Sequence, residues 1–183
     1  LTSSLPVRRF EECQTPLLLV AADVRSAASV ALTRGELAPA VHATCAYPGL
    51  FRPVALQGGL LWDGGLVDKA PALALSRHLP GALDALLVHF LPTRGAAAPG
   101  GAFAYARGLS AGVAALRRSH LQLQCALLSA EGLEVYLVVS ELPAVSPTTL
   151  QRGPEAVAAG RASAAWALAQ PATAFRTGGP APA

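Results

Sequence analysis

Residues 37–71 read LAPAVHATCAYPGLFRPVALQGGLLWDGGLVDKAP, and the alternation of small, apolar and glycine-rich pieces in this stretch dictates how the rest of the chain is read. From Gly35 the segment ELAPAVHATCA has helical spacing, with Leu37, Val41 and Thr44 or Cys45 on one face, until Pro48-Gly49 stops it. Two brief apolar runs then flank Gly58-Gly59, which predicts a tight hairpin or bend. Gly64-Gly65 marks a second sharp backbone feature directly after Asp63. An acid between an apolar strand and two glycines sits where the chain turns sharply and a side chain is able to enter a cleft. Glycine there allows positive φ and leaves room for a close neighbour. The same tripeptide also suits an ordinary aspartate-led turn.

Working outward, Leu17 to Val24 reads LLLVAADV, a continuous apolar run after Pro16 that fits a strand covered on both faces in a parallel sheet. Ser29 to Leu32 adds a shorter strand after a small-residue turn. On the other side, Pro71 opens a helix running to about Leu79, and Pro80-Gly81 ends it. Ala85 to Leu91 is a further buried strand, and Thr93 to Gly101 a Gly/Ala/Pro loop. Phe103 to about Leu128 reads as helix, Glu134 to Ser140 as strand, Pro143 to Pro147 as loop, and Pro154 to Ala169 as an Ala-rich helix. The Pro/Ala/Gly-rich tail from Pro171 to Ala183 is expected to be disordered. Strands alternating with helices predict an α/β fold with a mostly parallel sheet flanked by helices, whose chemistry lies at the carboxyl ends of strands.

Composition bounds the function. The 183 residues are 52 % apolar and 14 % charged, far from the signature of disorder. A net charge of +3, with arginine pairs at Arg8/Arg9 and Arg117/Arg118 and no interleaved aromatics, argues against nucleic acid as a partner. No apolar run reaches the roughly 18 residues of a membrane-spanning helix. No metal or other cofactor is expected: Cys13, Cys45 and Cys125 lack C-x-x-C spacing and read as buried free thiols, and His42, His78, His89 and His120 are unclustered. The chain contains no methionine and opens on Leu1, so it is expected to be a piece of something longer.

The quoted segment resembles the patatin-like phospholipase family, including its bacterial members related to neuropathy target esterase. Those proteins carry a helix ending in A-S-x-A-x-P-G-x-F-x-P-V, a short hairpin, D-G-G or D-G-A, and an x-x-N-x-P turn. Ala43, Ala46, Pro48, Gly49, Phe51, Pro53, Val54, Asp63, Gly64, Gly65 and Pro71 match. Thr44-Cys45 replaces a small Ser-Ala pair, and Lys69 stands in place of Asn. The resemblance implies a three-layer α/β fold, of which residues 1–170 are the C-terminal part. It also implies a lipid acyl hydrolase in which a serine of a G-x-S-x-G elbow is the nucleophile and Asp63 its partner in a Ser-Asp dyad, with Gly64, Gly65, Pro48 and Gly49 supporting the turn. Lipid esters or phospholipids would be the substrates, at the cytoplasmic side or at a membrane surface. In the family order, the serine elbow and the glycine-rich oxyanion loop precede this segment, so these residues alone are expected to be inactive and, with one flank of a parallel sheet unpaired, prone to associate.

Two alternatives accompany that reading. Gly108-Leu109-Ser110-Ala111-Gly112 satisfies G-x-S-x-G, so a permuted hydrolase would use Ser110, provided a strand enters the motif and a helix leaves it. The other alternative is a non-catalytic paralogue that binds lipid or a protein. Asp23 is placed either in the same cleft as Asp63 or in a strand-terminal turn, and Trp62 either lines an acyl pocket or packs on a neighbouring element.

Overall fold

The computed structural model describes residues 5–92, 104–143 and 150–177. The expected loop at 93–101, most of that at 143–147, and the tail beyond residue 177 lie outside the described residues. The chain divides into two compact units, Leu1–Leu75 and Ser76–Ala183.

The first unit is built on a four-stranded sheet of β1 (Leu19–Asp23), β2 (Ser29–Leu32), β3 (Val54–Leu56) and β4 (Gly59–Asp63), in the order β2-β1-β4-β3. Every pairing in it is antiparallel, which corrects the parallel expectation for this part of the chain. The reason is connection length. The links from β1 to β2 and from β3 to β4 span only a few residues, and such links join antiparallel neighbours, because a parallel pair needs a crossover of a dozen residues or more. In the β3–β4 link Gln57 and Gly58 have φ of 50° and 78°, the two positive values that a type I′ turn demands.

Helix α1 (Leu37–Thr44) packs on this sheet through Leu37, Ala40 and Ala43, with Val41 partly buried against the same core and Cys45 exposed. Alanines on the inner face let the helix approach closely, and Ala21, Leu32 and Leu61 from the strands, with Phe10 from a 3-10 turn at Phe10–Glu12, complete the core. Burying a residue such as Leu32 or Leu61 is worth roughly 1.5–3 kcal/mol.

The second unit contains a parallel pair, β5 (Ala85–Phe90) and β6 (Glu134–Val139), as the βαβ pattern around helix α3 (Ala104–Ala130) predicts. Leu86, Val88, Phe90 and Val135 are buried on one side of the pair, and Leu121, Cys125 and Leu128 of α3 are buried as well. Helix α4 (Gly153–Leu168) follows, with Pro154 in its first turn. Helix α2 (Ala72–His78) begins just after Pro71, at the junction between the units. The expected tail is corrected at its start: Ala172–Phe175 form a 3-10 turn, Arg176 bridges Tyr136, and the Thr177 amide donates to the Val135 carbonyl. Edge pairing of β6 holds these residues. Among the described residues no helix is long and apolar enough to cross a membrane.

Candidate functional site

Asp63 is the last residue of β4, aligned with Ala21 of β1 and followed at once by a 3-10 turn, Gly64–Leu66. Three close approaches hold it. Its backbone N–H donates to the Ala46 carbonyl at 3.1 Å, which ties the end of the strand to the residues leaving α1. Its Oδ1 accepts from the Gly65 N–H at 2.7 Å, so the carboxylate caps the turn that follows it. The chain then passes hard against β1: a Cβ on Gly64 would lie 2.0 Å from the Val20 carbonyl oxygen. That makes glycine obligatory at position 64 because of space, not because of φ.

The same Val20 carbonyl accepts a hydrogen bond from the Thr44 hydroxyl. Thr44 therefore keeps the donor that a serine would supply, and the departure from the usual Ser-Ala pair leaves this crossing of α1, β1 and the Asp63 turn intact. Beyond it, Pro48-Gly49 forms the turn expected from sequence. Gly49 has φ of 86°, and the Leu50 and Phe51 amides donate back to the Tyr47 carbonyl. The turn leaves Tyr47, Leu50 and Phe51 exposed, next to the residue that binds the Asp63 amide.

The Asp63 carboxylate is half-buried, and its second oxygen has no hydrogen-bond partner among the described residues. Chemically, one oxygen fixes the side chain and the other remains able to take a proton from, or orient, a hydroxyl brought to it. The Cys45 thiol is close enough to respond: partial burial first, and the negative charge of Asp63 second, push its pKa up. Cys45 is exposed and Cys13 half-buried, so of the three thiols expected to be buried only Cys125 is, and burial raises its pKa.

Asp23 does not join this site. Its Oδ1 accepts from the Arg25 and Ser26 amides at 2.9 and 2.8 Å and from the Ser26 hydroxyl at 3.0 Å, with its pKa lowered chiefly by the bonds from Ser26. It is a turn former. In antiparallel strands the carboxyl end of β1 also lies opposite that of β4, so the shared carboxyl edge that a parallel sheet would give them does not exist. Trp62 is half-buried, and its indole N–H is buried without a partner among the described residues. Ser110 lies inside α3, which already runs from Ala104, so the strand-to-helix elbow that its G-x-S-x-G match requires is not formed there. The histidines are dispersed as expected: His42 meets Phe51 edge-on, His89 bonds Ser140, and His120 bonds Gln124. Among the described residues no group of three or more His, Cys, Asp or Glu could hold a metal ion.

The contribution of Val20 was not visible in sequence. An apolar strand residue carries no signal that its carbonyl will receive both the Thr44 hydroxyl and the Gly64 backbone, because that meeting depends on register between elements distant along the chain.

The family model for patatin-like phospholipase matches residues 4–76. An uncharacterized NTE family protein of Mycobacterium bovis, and two of the same description from strains of Mycobacterium tuberculosis, are each 39 % identical to this chain over 62 residues. That alignment covers 34 % of this chain and 17 % of each relative. Residues 4–76, which contain Asp63 and every element that positions it, are thus similar to the patatin-like phospholipase family.

Proposed function

We propose that the complete protein is a lipid acyl hydrolase that cleaves carboxylic esters of lipids through a Ser-Asp dyad, with Asp63 as the acid of the dyad and a serine from sequence preceding these residues as nucleophile. In this reading residues 1–170 are the C-terminal part of a three-layer domain. The serine hydroxyl gives its proton to Asp63 as its oxygen attacks the ester carbonyl. Asp63 passes that proton to the departing alcohol, then takes one from the water that attacks the acyl-serine and returns it to the serine oxygen as the carboxylic acid leaves. Gly64, Gly65, Pro48 and Gly49 act through Asp63, by setting the turn that aims it.

The observation that carries the proposal is the divided carboxylate. Oδ1 of Asp63 is committed to the Gly65 amide at 2.7 Å, on a turn that only glycine at 64 allows, and the other oxygen is unclaimed among the described residues. Asp23, by comparison, takes three bonds on its Oδ1, from the Arg25 and Ser26 amides and the Ser26 hydroxyl, where Asp63 takes one. The exposed Tyr47, Leu50 and Phe51 beside it support contact with a lipid surface.

The test is turnover of a short-chain chromogenic ester by the complete protein, together with labelling by a fluorophosphonate. Asp63→Asn is expected to lower turnover by about 10²–10⁴-fold, the range of a positioned acid or base, with the label lost from an upstream serine. Undiminished turnover in Asp63→Asn, or label on Ser110, would refute the dyad. The exposed apolar turn also favours a second reading, a lipid-binding paralogue without catalysis. Vesicle binding with no ester turnover in the complete protein would establish it.

A further inference from the structure

The second unit contains a cavity of about 520 Å³ that the Asp63 chemistry does not use. It lies between β5–β6 and α4 and is closed at one side by the 3-10 turn at Ala172–Phe175. Parallel register sets Leu87 beside Tyr136 and His89 beside Val138, and alternation sends these four to one face. Ala164, Ala167 and Leu168 of α4 form the opposite wall, and Phe175 the side, where it meets Trp166 edge-on at 6.0 Å.

In a closed α/β layer such residues would bury one another. Here Leu87 remains 65 % exposed and Leu168 84 % exposed, although both line the space between sheet and helix. The gap falls within the roughly 300–1,000 Å³ of small-molecule sites, and its lining is that of an apolar ligand with few polar anchors.

The two ends differ. At the Tyr136 end, the phenol donates to Glu134 at 2.8 Å and Glu134 pairs with Arg176 at 2.7 Å, so the polar groups there satisfy one another. At the other end, His89 Nε2 shares a hydrogen bond with the Ser140 hydroxyl at 2.9 Å, and that hydroxyl meets Ser163 at 2.6 Å. The chain of hydroxyls holds the ring, and its Nδ1 has no hydrogen-bond partner among the described residues. From Tyr136 to Ser140 the strand runs about 13 Å, a span suited to a single chain of medium length.

We infer that this cavity is a binding site for one medium-chain aliphatic carboxylate, its chain lying between β5–β6 and α4 and its head at His89. The inference does not depend on Asp63. Isothermal titration of the 183-residue chain with octanoate, nonanoate and decanoate, each below its micellar concentration, tests it. One saturating site is expected, tightening about three- to fourfold per added methylene. Ala167→Trp fills the gap and is expected to weaken decanoate at least tenfold, and His89→Ala to weaken decanoate more than decanol. If Ala167→Trp melts early, Leu87→Asp replaces it, with the same tenfold loss expected. The site is refuted if no saturable binding occurs, if the folded variant binds like the parent, or if Asp63→Asn abolishes binding instead.

Discussion

Replacing Gly64 by alanine is expected to unfold the first unit more readily than any other single methyl added to its turns. The added Cβ would stand 2.0 Å from the Val20 oxygen, 2.5 Å from the Val20 carbonyl carbon and 3.2 Å from the Ala21 nitrogen. A tolerable carbon–oxygen contact is about 3.3 Å, so β1 and the turn would have to separate by roughly 1.3 Å. All three atoms are backbone in the central strand, so no rotamer change relieves the clash. The separation breaks the alignment of Ala21 with Asp63 and pulls Val20 from Thr44. Overpacking against side chains costs about 1–3 kcal/mol; against a fixed strand the upper end or beyond applies. At about 4–8 °C per kcal/mol for a unit of this size, the melting point should fall by more than about 12 °C. Two controls bracket the result. Gly58→Ala meets nothing within 4 Å and suffers only from its φ of 78°, about 1–2 kcal/mol. Gly65→Ala approaches only the Asp63 carboxylate oxygen, at 3.0 Å, and that side chain is free to swing; it should melt nearly as the parent does while misaiming Asp63. Thermal unfolding of the three variants by circular dichroism gives the ranking. A Gly64→Ala melt within about 4 °C of the parent, or above that of Gly58→Ala, would refute the close approach as the reason for the glycine.

Thr44→Val removes the donor to the Val20 carbonyl and is expected to cost about 1–3 kcal/mol in denaturant melts, whereas Thr44→Ser should be nearly neutral because the hydroxyl remains. Alkylation of Cys45 at neutral pH should be faster in Asp63→Asn than in the parent: the carboxylate helps hold the thiol pKa up, and removing its charge raises the thiolate fraction. An unchanged or slower rate, measured by mass spectrometry of the Cys45 peptide, would show that the two groups do not sense each other. Asp23 has a lowered pKa in the folded chain, so its contribution to stability is present above the ordinary carboxylate range and is lost as pH falls through that range and below it. Asp23→Asn should therefore flatten the acid limb of the stability profile, and an unaltered limb would contradict the turn bonds.

Much of the chain was legible because its signals are local. The tight turn near Gly58-Gly59, which the structure forms at Gln57-Gly58, the stop at Pro48-Gly49, the long α3 and the strand pair around it all follow from spacing and from which residues tolerate a given φ. The D-G-G turn was legible as well, since an acid before two glycines has few other uses. The sheet direction was misread because LLLVAADV looks the same in either arrangement: β1 is buried on both faces, and burial alone does not distinguish a parallel strand from a central antiparallel one. Counting the few residues between β1 and β2 and between β3 and β4 would have decided those two pairs, but not the pairing of β1 with β4.

Sequence by itself therefore determined the identity of the turn residues, the placement of Asp63 at a strand end, and the kinship of residues 4–76, because each depends on neighbours within a few positions. Only the tertiary structure decided that Asp23 serves a turn and not the Asp63 cleft, and that Thr44 and Gly64 converge on one carbonyl of β1. Those facts depend on register and on the direction in which elements pack, and contacts between residues far apart in the chain leave no mark in the spacing of either segment.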